Sequence, residues 1–223
     1  MKAKVAILAA LGLLACTGST QAQTRTASTE NAAPAIAFRP FFLATFQSFA
    51  AQETFQQAFG SATQPFFGGG LDLSFRHGIF VDLTASRYSA TGQRAFVFDG
   101  QVYRLGIPLT AREIPVEASC GYRFAAWHRI RPYAGAGVGL YNYTETSNFS
   151  TYGENVDVRH AGYLVLGGAE VRVSSWVAVA VDVQWTHVPG ILGSRGLSQG
   201  IGSGGAERDL GGIAPRVRVI IGQ

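Results

Sequence analysis

The residues of this 223-residue chain that could do chemistry are few and widely separated. Its four histidines, His77, His128, His160 and His187, lie tens of positions apart, whereas imidazoles that share a structural or catalytic metal usually come at short spacing. The two cysteines, Cys16 and Cys120, form no C-x-x-C pair. No metal or cofactor is therefore expected. Glu113 and Glu117 stand four residues apart in an alternating segment, which places both on one face of a strand. Paired carboxylates can share acid–base work, but arginines also fix such pairs, and a structural ion pair to Arg123 or Arg172 is the preferred reading. The glycine clusters at 68–70 and 202–205 lack the lysine and the strand–turn–helix setting of a phosphate loop. No residue is assigned a catalytic role.

The elements that must position these residues follow from composition and period. Hydrophobic residues make up 47% of the chain and charged ones only 14%, with 28 glycines, against about 25% charged in an average soluble domain. The long apolar run 5–15 falls short of the about 20 residues of a spanning helix, so a polytopic helical membrane protein is excluded. From Phe38 onward apolar residues recur at every second position: Leu71, Leu73 and Phe75; Ile79, Val81 and Leu83; Ile114, Val116, Ala118 and Cys120; Val177, Val179, Val181, Val183 and Trp185. That period means strands with one apolar and one polar face. The pattern predicts strands at 38–50, 65–76, 78–89, 109–124, 130–145, 158–173, 176–187 and 211–221. The links between them alternate between short and long. Asp99-Gly100 between apolar triplets predicts that strands three and four extend into a hairpin.

Ahead of the strands, Lys2, Lys4 and the apolar run read as a secretory signal over 1–22, followed by a flexible leader, 23–37, and one barrel domain, 38–223. A lipobox-like alternative would use Cys16. The chain's two lysines lie in the signal, which leaves 16 arginines against 14 acidic residues, a net charge of +2. These arginines are scattered singly and carry no nucleic-acid signature.

Long strands, short turns on one side and long loops on the other predict an all-β, eight-stranded, antiparallel, up-and-down transmembrane β-barrel in a bacterial outer membrane. Tyr88, Tyr122, Trp127, Tyr141, Tyr143, Trp176 and Trp185 lie near strand ends and are expected in the aromatic belts. The polar face should line the lumen with Asp72, Asp82, Glu113, Glu117, Glu170 and Asp182 against Arg123, Arg131, Arg172, Arg216 and Arg218. Eight strands leave an interior that side chains fill, so the expectation is a salt-bridged lumen and no open pore. Loops 51–64, 89–108, 146–156 and 188–210 would face outward from the cell.

GYRF at 121–124 and RIRPYAGAGVGLYNYTE at 129–145 resemble paired strands of the opacity-type and OmpA-like outer-membrane β-barrel family. The resemblance implies assembly by the outer-membrane machinery, a lipid surround, and a role in adhesion or envelope integrity, with an extracellular ligand or surface met by the long loops. Two alternatives accompany it. One is a narrow porin. The other is a lipid-processing enzyme with a rim histidine, in which His187 would need an orienting acid and a serine such as Ser194 or Ser198.

Overall fold

A computed structural model describes residues 36–98, 101–125, 129–147, 156–190 and 209–222, with the side chains of 94–105 and 156 excepted. The segments 1–35, 191–208 and 148–155 lie outside the described residues, as do His128, Trp127 and the Asp99-Gly100 turn. The strands are β1 (Ile36–Phe49), β2 (Thr63–Phe75), β3 (Ile79–Phe98), β4 (Gln101–Arg123), β5 (Ile130–Thr146), β6 (Val156–Arg172), β7 (Val177–His187) and β8 (Gly212–Ile221). Each pairs antiparallel with its neighbour in sequence, and β1 pairs with β8 to close the barrel. Phe41 faces Ile220 and Thr45 faces Arg216 across that seam. Closure leaves no strand edge, which a lipid surround requires because it offers no partner for an open row of N–H and C=O groups.

Strict alternation sets the two faces. Along β1, Arg39, Phe41, Leu43, Thr45, Gln47 and Phe49 are buried while Phe38, Phe42 and Phe46 are exposed. The same parity leaves Phe67, Leu83, Val116, Val138, Val165, Val181 and Val217 on the outer wall. An uninterrupted apolar surface of that extent is foreign to a soluble monomer. Strands β3 and β4 run past the others as a paired ribbon, as the Asp-Gly signal predicts, with a register shift between Gln93 and Ala95.

Two connections decide what fills the barrel. The β2–β3 link is a single tight turn in which His77 and Gly78 both take positive φ, 68° and 85°. The β1–β2 link, expected as an open display loop over 51–64, instead contains helix α1 (Gln52–Phe59). Its physical cause is the apolar spacing of Phe55, Ala58 and Phe59, positions that share one helical face. Phe55 stacks on Phe49 with ring centroids 3.8 Å apart, and Phe49 in turn meets Phe66 and Tyr88. Val188, Leu210 and Ala111 complete this apolar cluster. Burying a phenylalanine side chain stabilises by about 1.5–3 kcal/mol, so the helix is anchored in the long-loop mouth of the barrel. Gly60, at φ 78°, ends it and donates its N–H to the Gln56 carbonyl at 3.0 Å.

Candidate functional site

The inward-facing polar residues assemble into two tiers. Nearest the short-turn end, Arg39 on β1 donates Nη1 and Nη2 to the two Glu170 oxygens at 2.8 and 2.9 Å, and Nε to Asp72 at 3.1 Å. Arg123 on β4 bonds the other Asp72 oxygen and the Ser74 hydroxyl, and its Nε lies 3.3 Å from Glu170. Two arginines thus face two carboxylates. The planar guanidinium suits this task because it serves both oxygens of a carboxylate at once.

The second tier repeats that balance. Arg218 donates to Asp82 at 2.6 Å and to the Tyr133 hydroxyl at 2.7 Å, and its Nε is 3.1 Å from Asp182. Arg216 donates to Asp182 at 2.5 Å and also bonds Gln184, while the Tyr133 hydroxyl donates to Asp182 at 2.5 Å. Rings cover the charges: Arg123 lies 4.3 Å from the Phe80 centroid and Arg218 5.3 Å from that of Phe41. Buried ions are tolerated when each is paired and further hydrogen-bonded. Ser74, Tyr133 and Gln184 supply such extra bonds to Arg123, Asp182, Arg216 and Arg218, whereas Asp82 Oδ1 is buried without a hydrogen-bond partner among the described residues.

Above the tiers the interior changes character. Glu117 accepts from the Tyr141 hydroxyl at 2.7 Å and from Gln184 at 2.9 Å. Glu145 accepts from the Tyr143 hydroxyl at 2.8 Å. Glu113 is fully buried, and its carboxylate oxygens have no hydrogen-bond partner among the described residues. The ion pairs from Glu113 and Glu117 to Arg123 or Arg172 are therefore not formed. The reason is axial distance: Arg123 and Arg172 sit at the short-turn end of their strands, while Glu113 lies opposite Tyr88 and Tyr143 near the other mouth.

The structure revises further expectations. Asp72, Asp82, Arg123, Glu170, Asp182, Arg216 and Arg218 lie inside and are ion-paired. Arg131 is only half-buried and Arg172 is exposed, because both stand at the barrel lip, and no carboxylate ion-pairs with either among the described residues. Accordingly, Arg172→Ala should change stability by no more than about 0.5 kcal/mol, read from urea unfolding in micelles. Arg39, which sequence reasoning missed, is the hinge of the lower tier. The belt is also smaller than expected. Tyr88, Tyr141 and Tyr143 point inward and are buried, since they share parity with the lumen residues Asp82 and Glu113 or with Gly139. Tyr122, Phe124 and Trp176 are exposed at the short-turn rim, and Tyr163 and Trp185 near the other.

At that second rim His187 packs against Tyr163 and Trp185, with centroids 5.0 and 6.1 Å away. Its Nδ1 lies 2.6 Å from Asp209 Oδ2, and Asp209 Oδ1 accepts the backbone N–H groups of Val188 and Gly211, each at 2.8 Å. One carboxylate therefore ties the end of β7 to the start of β8 and fixes the imidazole. Among the described residues no three His, Cys, Asp or Glu side chains converge as a metal site.

A closed, eight-stranded antiparallel barrel with an apolar wall around paired charges is the architecture of the outer-membrane β-barrels. A solved structure agrees on the fold. Neisserial surface protein A matches with a TM-score of 0.50 at 12% identity, over 85% of this chain and 98% of that one. The attachment invasion locus protein Ail of Yersinia pestis, in complex with the heparin analogue sucrose octasulfate, matches at TM-score 0.46 and 8% identity, over 84% and 95%. The N-terminal β-barrel domain of Pseudomonas aeruginosa OprF matches at 0.43 and 12%, over 82% and 97%. No family model matches the chain, and no curated protein does.

Proposed function

We propose that the protein is a structural barrel of the opacity-type and OmpA-like kind, which displays its long loops at the cell surface in adhesion or envelope integrity. Its immediate partner is outer-membrane lipid, and the outer-membrane assembly machinery inserts it. The observation that carries this reading is the filled interior: two charge-balanced tiers of ion pairs at one level and an aromatic cluster sealed by α1 at the next. A wall held that rigidly suits the presentation of variable loops, because the loops can change while the scaffold does not. The test is conductance of the purified barrel in planar bilayers. Silence is expected, and steady single-channel steps would favour the narrow-porin alternative.

The His187–Asp209 pair supports a second reading, a lipid-processing enzyme, because an acid that orients an imidazole is one part of a hydrolytic site. Ser194 and Ser198 lie outside the described residues. Asp209 has a structural task through its two backbone bonds, so the leading reading expects His187→Ala to leave lipid acylation unchanged in mass spectra of extracted outer-membrane lipid. Loss of a deacylated species on that substitution would favour the enzyme.

A further inference from the structure

Among the described residues, the short-turn mouth holds arginines that no carboxylate ion-pairs. Arg129, Arg131 and Arg172 stand there, and segments 118–125, 129–133 and 171–181 contain no Asp or Glu. The nearest carboxylates are already engaged. Both oxygens of Glu170 serve Arg39, one of them also facing Arg123, and both oxygens of Asp72 serve Arg39, Arg123 and Ser74. Arg131, opposite Glu170 in the β5–β6 register, is left half-buried without a counter-ion among the described residues.

Arg131 opens into a cavity of about 440 Å³ lined also by Ser74, His77, Tyr122, Arg123 and Phe124. The lining is divided. Ser74, Arg123 and Arg131 belong to the lumen face, whereas Tyr122 and Phe124 are exposed on the outer wall and pack edge to face at 5.3 Å. The cavity therefore crosses the lip, from a cationic interior to the lipid-facing surface. Arg129 and Arg172 line a second hollow along the same rim. A free inorganic anion would use only the polar half.

We propose that this lip is a binding site for an anionic phospholipid of the adjacent leaflet. Its phosphate is received by Arg131, with His77 and Ser74 beside it, and its chains lie along Tyr122 and Phe124. Guanidinium groups bind phosphate oxygens in a planar fork, and basic clusters at a membrane surface select anionic headgroups. The site is independent of what the loops do at the opposite mouth.

The experiment is native mass spectrometry of the detergent-folded barrel in an equimolar mixture of dioctanoyl phosphatidylglycerol and dioctanoyl phosphatidylcholine. One phosphatidylglycerol should be retained in preference by about tenfold, and Arg131→Gln should bring the ratio close to one. Arg112→Gln, an exposed arginine of β4 far from this lip, should leave the preference intact. Equal retention of the two lipids by the unaltered protein overturns the proposal, whether or not the variants fold. An equal loss on Arg112→Gln overturns it too, since bulk charge would then explain the preference. Displacement of the lipid by an equal concentration of inorganic phosphate also overturns it, and leaves a free-anion site in its place.

Discussion

Replacing Arg39 by alanine should destabilise the folded barrel by about 3–5 kcal/mol, the range for breaking a buried ion pair from one side. Its guanidinium is the bidentate partner of Glu170 and one of two cations on Asp72. Without it, Arg123 alone must serve two buried carboxylates, and one negative charge is left uncompensated away from water. The same logic predicts a rescue. Arg39→Met combined with Glu170→Leu removes a complete pair and leaves Asp72 matched with Arg123. The double variant should therefore recover most of the stability lost by either single one. Equilibrium urea unfolding in micelles, followed by tryptophan fluorescence, provides all four corners of the cycle. A single-variant loss below about 1 kcal/mol, the value of an exposed pair, would mean that water reaches the lower tier.

The second large effect is expected at Gly139. In the register Gly139 stands between Glu117 on β4 and Gly162 on β6. The ring of Tyr141 folds back across these two glycines. A Cβ on Gly139 would stand 2.8 Å from Tyr141 Cε2 and 2.9 Å from its hydroxyl, and one on Gly162 would stand 3.0 Å from the same Cε2. Gly139→Val must therefore expel the ring, which also takes the Tyr141 hydroxyl from Glu117. Overpacking a core costs about 1–3 kcal/mol, and Glu117, half-buried and still held by Gln184, loses one of its two donors at a cost of about 1 kcal/mol more, the low end for an unsatisfied acceptor. A total of about 2–4 kcal/mol is expected from those two contributions, together with loss of the folded band in unheated gel samples. Gly167→Ala provides the contrast. It faces outward with nothing nearer than 3.8 Å, and should be neutral or slightly stabilising, because alanine is less costly than glycine to order. Equal effects at the two glycines would mean that backbone conformation, not the tyrosine ring, is what Gly139 provides.

Much of this architecture is legible in the chain. The alternation of Val177 to Trp185 or Ile114 to Cys120 identifies strand, length and face together, because neighbouring side chains on a strand must point opposite ways. Strand β1 is harder to read. Its outer face carries Phe38, Phe42 and Phe46, but its inner face carries Phe41, Leu43 and Phe49, so neither parity looks polar and Arg39 does not stand out as a lumen residue. The three inward tyrosines show a different limit. Proximity to a strand end suggests a belt, yet parity with Gly135, Gly137 and Gly139 already places Tyr141 and Tyr143 inside, and parity is the stronger rule. Helix α1 had a weak signal in Phe55, Ala58 and Phe59. Its packing needed Phe49, Phe66 and Tyr88 brought together from three strands.

The amino-acid sequence by itself determined that this chain forms long two-faced strands, how they alternate with short turns and long loops, and which face holds the charges. These are local properties, set by the period of the backbone within one strand. Only the tertiary structure decided which charge meets which. Arg39 meets Glu170 across 131 positions, and Arg218 meets Asp82 across 136. Such partners are chosen by strand register and by the closure of β1 on β8, which set the height and bearing of every inward side chain around one axis. A guanidinium reaches only the carboxylates at its own height. That is why Arg39 is locked into the lower tier, while Arg131 stands opposite a Glu170 whose oxygens Arg39 and Arg123 already hold.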